Sequence, residues 1–253
     1  MNVYEICFSP TGGTQRVADL LAKELAEEIQ RIDLTDSGKD FSGIGLQPED
    51  VAILAVPSYG GRVPAPAIQR ICAIKGNSAR AVLVCVYGNR AYEDTLVELQ
   101  DAAEHAGFRT IAAVAAIAEH SIARQYAAGR PDALDQSQLA DFAHKIHEKL
   151  PAQSNAEPSI PGNRPYKNKG GSSLIPKPND DCTSCGLCAE KCPVQAIDRQ
   201  NPAVVNDSAC IACMRCVALC PHAARTVNPA ALAAVDAMLK KVCSDRKEPE
   251  LFL

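Results

Sequence analysis

Two cysteine runs in the C-terminal part constrain this chain more than any other feature. The first is Cys182, Cys185, Cys188 and Cys192-Pro193. The second, Cys210, Cys213, Cys216 and Cys220-Pro221, repeats it 28 residues later. Each reads C-x2-C-x2-C-x3-C-P. Three thiolates spaced three residues apart, on a loop that wraps and then enters a helix, can reach three corners of one iron–sulfur cube. The fourth cysteine sits further along that helix and points across to a second cube. A zinc site takes its four ligands as two C-x2-C pairs across a longer spacer, and two triplets with following Cys-Pro units overshoot that pattern. Disulfides need an oxidising compartment, and nothing in the sequence suggests export.

This spacing resembles that of the bacterial two-cluster ferredoxins. The resemblance implies a small α+β domain with two 4Fe–4S clusters, in which the fourth cysteine of each run serves the other cluster. Cys182, Cys185, Cys188 and Cys220 are then the ligands of one cluster. Cys210, Cys213, Cys216 and Cys192 are those of the other.

The chain's beginning, MNVYEICFSP, has neither the basic nor the apolar region of a signal peptide. No apolar run approaches the roughly 20 residues that span a bilayer. Together with eight thiols that must stay reduced to hold iron, this leads to an expectation of a cytoplasmic protein with no membrane span. The net charge of −4 gives no nucleic-acid footprint. Of the remaining cysteines, Cys7, Cys72 and Cys85 fall in apolar segments and read as core, while Cys243 lies in the tail.

Residues 1–150 alternate strands and helices. Val3 to Phe8 reads as a strand, and Val17, Leu20, Leu21, Leu25 and Ile29 mark one face of a following helix. Between them lies Ser9-Pro10-Thr11-Gly12-Gly13-Thr14. A hydroxyl- and glycine-rich loop at a helix N-terminus is a ready anion site, because free N–H groups converge there. It lacks G-x-G-x-x-G and G-K-[ST], which disfavours a dinucleotide site and a nucleotide-hydrolysing loop. Further strands are expected at 31–34, 51–56, 81–86 and 110–118, with helices at 66–74, 93–106 and 135–150. The pattern predicts a doubly wound, five-stranded parallel sheet, with ligands beyond the carboxyl ends of its strands. The loops Pro57-Ser58-Tyr59-Gly60-Gly61-Arg62 and Gly88-Asn89-Arg90-Ala91-Tyr92 leave those ends.

On these loops, residues 1–150 resemble the flavodoxins, which carry FMN. Ser9, Thr11, Gly12, Gly13 and Thr14 match the S-x-T-G-x-T phosphate loop. Tyr59 and Tyr92 match the aromatics that flank the two faces of the flavin. The resemblance implies FMN contacts from Pro57, Ser58, Gly60, Gly61, Gly88, Asn89 and Arg90 as well. Flavodoxins place acidic residues in these ring loops, whereas this chain has Gly61, Arg62, Asn89 and Arg90. Cations there are expected to favour an anionic reduced flavin. The segment 119–131 is an addition between the last strand and helix, and it reads as a solvated loop, with His120 and Arg124 as residues that could approach the flavin or a partner protein.

Residues 151–178 form a Pro- and Gly-rich linker, with Tyr166, Lys167 and Lys169 expected in solvent. The cluster domain is expected at 179–228 and a helix and tail at 229–253. That helix is capped by Asn228 ahead of Pro229, with Leu232, Val235, Leu239 and Val242 as its apolar stripe. Taken whole, the chain resembles the flavodoxin–ferredoxin fusion proteins of anaerobic bacteria and archaea. The resemblance implies electron transfer between the clusters, FMN and external redox proteins. The alternative is a flavin-dependent reductase of a small molecule fed by its own clusters, with His120 or Tyr126 as proton donor; no catalytic residue is assigned.

Overall fold

A computed structural model describes residues 1–150, 157–168, 170 and 174–253. The elements in order are β1 (Val3–Cys7), α1 (Gly13–Leu25), β2 (Ile29–Asp33), β3 (Val51–Pro57), α2 (Ala65–Ala73), β4 (Arg80–Tyr87), α3 (Thr95–His105), β5 (Arg109–Ile117), α4 (Ala133–Lys149), β6 (Lys177–Pro178), α5 (Leu187–Glu190), α6 (Arg215–Ala218), β7 (Arg225–Thr226), α7 (Pro229–Leu239) and β8 (Glu250–Phe252).

The first five strands form a parallel sheet in the order β2-β1-β3-β4-β5, the flavodoxin-like doubly wound arrangement. The sequence explains why it is buried on both faces. β3 reads VAILAVP and β4 RAVLVCVY, near-continuous apolar runs of the kind a covered parallel sheet needs. Val17 and Leu21 of α1 and Leu139 and Ile146 of α4 cover one face. Ala67 and Ile71 of α2 and Leu96 and Leu99 of α3 cover the other. Each large side chain so buried contributes roughly 1.5–3 kcal/mol. Cys7 and Cys85 lie within these cores, and Cys72 packs against one of them.

Three expectations are corrected here. Ile29 begins β2 rather than ending α1, because Ala26 is already extended at φ −160°. The sheet gains a sixth strand, as β8 pairs antiparallel with Ala113–Ala115 of β5. The stripe on α7 is phased differently. Leu239 and Cys243 are buried, whereas Val242 is 47% exposed, since the helix ends at Leu239 and the following turn resets the face.

The expected cap on α7 is present: Asn228 Oδ1 accepts from Ala230 N and Ala231 N at 2.9 and 3.1 Å. Val235 of α7 packs against Tyr126 and Ala123 of the 119–131 segment and against Met214 and Leu174 of the cluster domain. The added segment is therefore docked rather than solvated, though the Arg124–Glu119 pair stays on the surface.

The linker is likewise packed where it is described. Asn163 N and Lys167 N donate to the two carboxylate oxygens of Asp94 at 2.9 and 2.7 Å. Arg164 and Tyr166 reach Asp101. Tyr166 is thus half-buried against Asp101, while Lys167, tied by its backbone to Asp94, stays exposed as expected. Pro151, Lys169 and Gly171 lie outside the described residues. Lys177 and Pro178 pair with Thr226 and Arg225, so the end of the expected linker is already part of the cluster domain's sheet.

Candidate functional site

The internal repeat in the sequence is also a repeat of the backbone. Ser184 and Ala212 share positive φ (55° and 49°), as do Gly186 and Met214 (78° and 61°) and Gln195 and Ala223 (both 50°). Each pair is 28 residues apart. The left-handed residue at 186 or 214 immediately precedes α5 or α6, turning the cysteine loop into its short helix. At the far end of each run, a backbone N–H meets the fourth sulfur: Ala196 N to Cys192 Sγ and Ala224 N to Cys220 Sγ, both 3.3 Å.

Two cavities result. One is bounded by Cys182, Cys185, Cys188 and Cys220. The other is bounded by Cys192, Cys210, Cys213 and Cys216. Among the described residues, no three His, Cys, Asp or Glu side chains converge on a point fit for a single metal ion. Sulfurs arranged around a space rather than around a point suit a cube. Without iron the thiolate forms are penalised: burial pushes Cys213 up to about 12 and Cys216 to about 11. Iron takes up the thiolate charge that burial opposes.

Residues 168–225 match the family model described as a 4Fe–4S dicluster domain. The C-terminal domain carries two 4Fe–4S clusters. Each cavity is bordered by three cysteines of one run and the fourth of the other.

Solved structures similar to the chain lie over its first part. They include the flavodoxin of Streptococcus pneumonia TIGR4, 18% identical over 59% of this chain and 99% of that one, TM-score 0.42. The flavodoxin of Megasphaera elsdenii is 16% identical over 56% and 98%, TM-score 0.39. An NADH:FMN oxidoreductase is 14% identical over 60% and 91%, TM-score 0.42. No curated protein matches the chain.

In the first domain, the loop after β1 is poised for an anion. Ser9 Oγ accepts from Gln15 N at 2.9 Å and caps α1. The N–H groups of Thr11, Gly12, Gly13 and Thr14 find no acceptor among the described residues. Gly12 takes φ +87°, and a side chain added there would meet nothing closer than Arg16 at 3.9 Å. Thr11 and Gly12 line a cleft of about 390 Å³ together with Ser9, Pro10 and, from the cluster domain, Arg215.

The loops after β3 and β4 lean on each other, with Asp94 N donating to Gly61 O at 3.1 Å. Ser58 bonds Thr95 Oγ1 at 2.7 Å, which ties the loop that starts at Pro57 to α3. Gly60 has open space beside it, whereas a side chain at Gly88 would collide with His120. His120 Nδ1 accepts from Ile122 N and Ala123 N at 3.2 and 3.1 Å, so the proton sits on Nε2. Burial and then the charge of Arg90 lower its pKa, keeping the ring neutral. Tyr126 is engaged too, its hydroxyl donating to Asp236 Oδ1 at 2.8 Å.

Several ring-loop side chains are held elsewhere than expected. Arg62 makes a two-pronged bond to Glu98 at 2.8 and 2.7 Å and stacks on Tyr166. Arg90 is matched by Glu93 at 3.0 Å through both terminal nitrogens. Neither arginine is therefore an uncompensated cation beside a flavin; the carboxylates that cancel them lie on α3 and just before it. Asn89 donates to Cys243 O and Asp245 O, both at 2.8 Å, and accepts from Lys247 N, so it latches the tail. Tyr92 donates to Glu250 at 2.6 Å and its ring lies 5.3 Å from that of Tyr87.

The two domains meet at the second cluster. Arg70 Nη2 donates to Pro193 O at 2.6 Å, and Ile211 packs on the apolar core that α2 and α3 share with the sheet. Arg215 Nη1 reaches Ser9 O and Pro10 O at 3.4 and 3.3 Å while also lining the second cluster's cavity. Burial, with a smaller contribution from neighbouring Cys213, pushes the Tyr59 phenol far above its ordinary value. Tyr59 of the ring loops is thus within electrostatic reach of Cys213. The sequence carried no signal for this; it depends on how α6 seats on the loop after β1.

Proposed function

We propose that the chain is an electron relay in which the first domain holds FMN. On this reading Ser9 and Thr11 to Thr14 bind the phosphate, and Pro57 to Gly61 and Gly88 to Tyr92 flank the ring. The observation that supports it best is the meeting of three sites in one place. Arg215 borders both the second cluster's cavity and the anion loop, and the charge of Cys213 reaches Tyr59 of the ring loops. A flavin exchanges electrons singly or in pairs, whereas a 4Fe–4S cluster exchanges one at a time.

The chain's own contribution is placement. It holds the Cys182-Cys185-Cys188-Cys220 cluster away from the first domain, where Cys185 is exposed to an external redox protein. It holds the other cluster against the proposed flavin site. Arg62 and Arg90 keep their charge matched within the loops, and neutral His120 closes the site behind Gly88. The Tyr126 hydroxyl is engaged by Asp236, which does not favour the reductase alternative.

Anaerobic purification followed by iron and flavin analysis tests this. The expected content is about eight iron atoms and about one FMN per chain, with flavin absorbance bleaching once the clusters are reduced. Iron without flavin, after offering FMN in excess, would reject the relay and leave a cluster carrier joined to a docking domain.

A further inference from the structure

The two halves of the cluster domain are repeats, so the places where they differ in charge are informative. Position 197 in the first half corresponds to 225 in the second. Ile197 lines the cavity of the Cys192-Cys210-Cys213-Cys216 cluster. Arg225 lines the cavity of the Cys182-Cys185-Cys188-Cys220 cluster. The two are equally hidden, at 5% and 3% exposure. Their backbones even pair alike, Ile197 with Val205 and Arg225 with Pro178.

An isoleucine belongs in such a place and an arginine does not. The Nε, Nη1 and Nη2 atoms of Arg225 are all buried, and none has a hydrogen-bond partner among the described residues. A guanidinium stripped of water and left unpaired is strongly disfavoured unless an anion meets it. The only strong anion that this cavity can offer is the cluster itself. Four thiolates make it net negative in either oxidation state, and each electron it accepts adds one more negative charge.

A second arginine breaks the repeat, but differently. Arg215 corresponds to Leu187 and lines the other cavity. Its guanidinium turns outward to the carbonyls of Ser9 and Pro10, so its charge is shared with the loop of the first domain. Among the described residues Arg225 makes no such bond, although its charge also reaches Cys216 of the other set.

We propose that Arg225 is the built-in counter-cation of the cluster held by Cys182, Cys185, Cys188 and Cys220, and that it makes this cluster the higher-potential of the two. An electron delivered by an external one-electron donor then rests on the outer cluster, with the reduced cube's extra charge matched by Arg225 and no proton required. The inner cluster, beside Ile197, is the less favourable stop through which it passes to or from the first domain. The exposure of Cys185 acts in the same direction, because solvent also stabilises the added charge. The inference rests on the two clusters and not on the flavin.

The test is an EPR-monitored reductive titration of the anaerobically purified chain. The wild-type protein is expected to show two separated potentials. In Arg225→Ile, which installs the residue of the other repeat, the higher potential falls toward the lower one, and the lower one moves less. Arg225→Lys, which keeps the charge, retains the separation. Iron content of each variant shows that both clusters are still held. If Arg225→Ile loses iron, Arg225→Gln, a neutral donor, provides the same comparison. An unchanged separation in the neutral variant, or movement of the lower potential alone, overturns the proposal. Neither result would touch the presence of the clusters, which the iron count reads independently.

Discussion

Replacing Arg215 with Gln probes the join between the domains most sharply. Its Nη1 contacts to Ser9 O and Pro10 O, at 3.4 and 3.3 Å, are long and go to neutral acceptors. A phosphate bound at the free N–H groups of Thr11 to Thr14 would offer a better partner in the same cleft. A hydrogen bond to a charged group is worth about 1.5–3 kcal/mol, which corresponds to roughly a 10- to 150-fold change in Kd. The assay is fluorescence titration of protein stripped of flavin but retaining its iron, using FMN and riboflavin in parallel. Riboflavin lacks the phosphate, so Arg215→Gln should weaken FMN by that factor and leave riboflavin nearly unchanged. Equal weakening of both ligands, or none of either, would refute the reasoning. Added salt should narrow the difference between wild type and variant for FMN only.

The crossed ligand sets predict that Cys220→Ser removes the cluster shared with Cys182, Cys185 and Cys188, and Cys192→Ser the one shared with Cys210, Cys213 and Cys216. Each should retain roughly half the iron, and flavin reduction by the clusters should fail in Cys192→Ser. Glu98→Ala leaves the largely covered Arg62 without its carboxylate. Breaking such a pair costs roughly 3–5 kcal/mol, or about 6–20 °C in Tm, measurable by anaerobic calorimetry. Glu5, on β1 beneath the anion loop, has its pKa raised to about 7, chiefly by burial. The folded state therefore holds a proton that the unfolded chain releases near pH 4.5. Stability should decline as pH rises from there to about 7 and then level off. Denaturation midpoints of Glu5→Gln should lack that decline.

Much of this molecule could be read from local pattern. The two clusters were legible in the repeated C-x2-C-x2-C-x3-C-P spacing, and residues 168–225 match a 4Fe–4S dicluster domain. The parallel sheet followed from apolar runs separated by helical periodicity. What escaped the reading depends on partners distant in sequence. Glu250–Phe252 is too short to declare itself a strand, and it becomes one only because β5 offers a free edge. Tyr166 looked like solvated linker because the carboxylate that holds it, Asp101, lies more than sixty residues earlier. Arg62 looked like a free cation for the same reason, whereas Arg90 has its partner Glu93 three residues on, a local pair that was overlooked. Arg225 could have been noticed: aligning the two repeats places it opposite Ile197, and an unmatched buried cation is a signal in itself.

The central claim is that the inner cluster and the proposed flavin site form one continuous path within a single chain. Laser-flash reduction of the bound flavin, followed by its reoxidation as the clusters take the electron, tests this most directly. The account predicts a first-order rate that is the same at every protein concentration. A rate rising in proportion to concentration would mean that electrons cross only between molecules, and would contradict it.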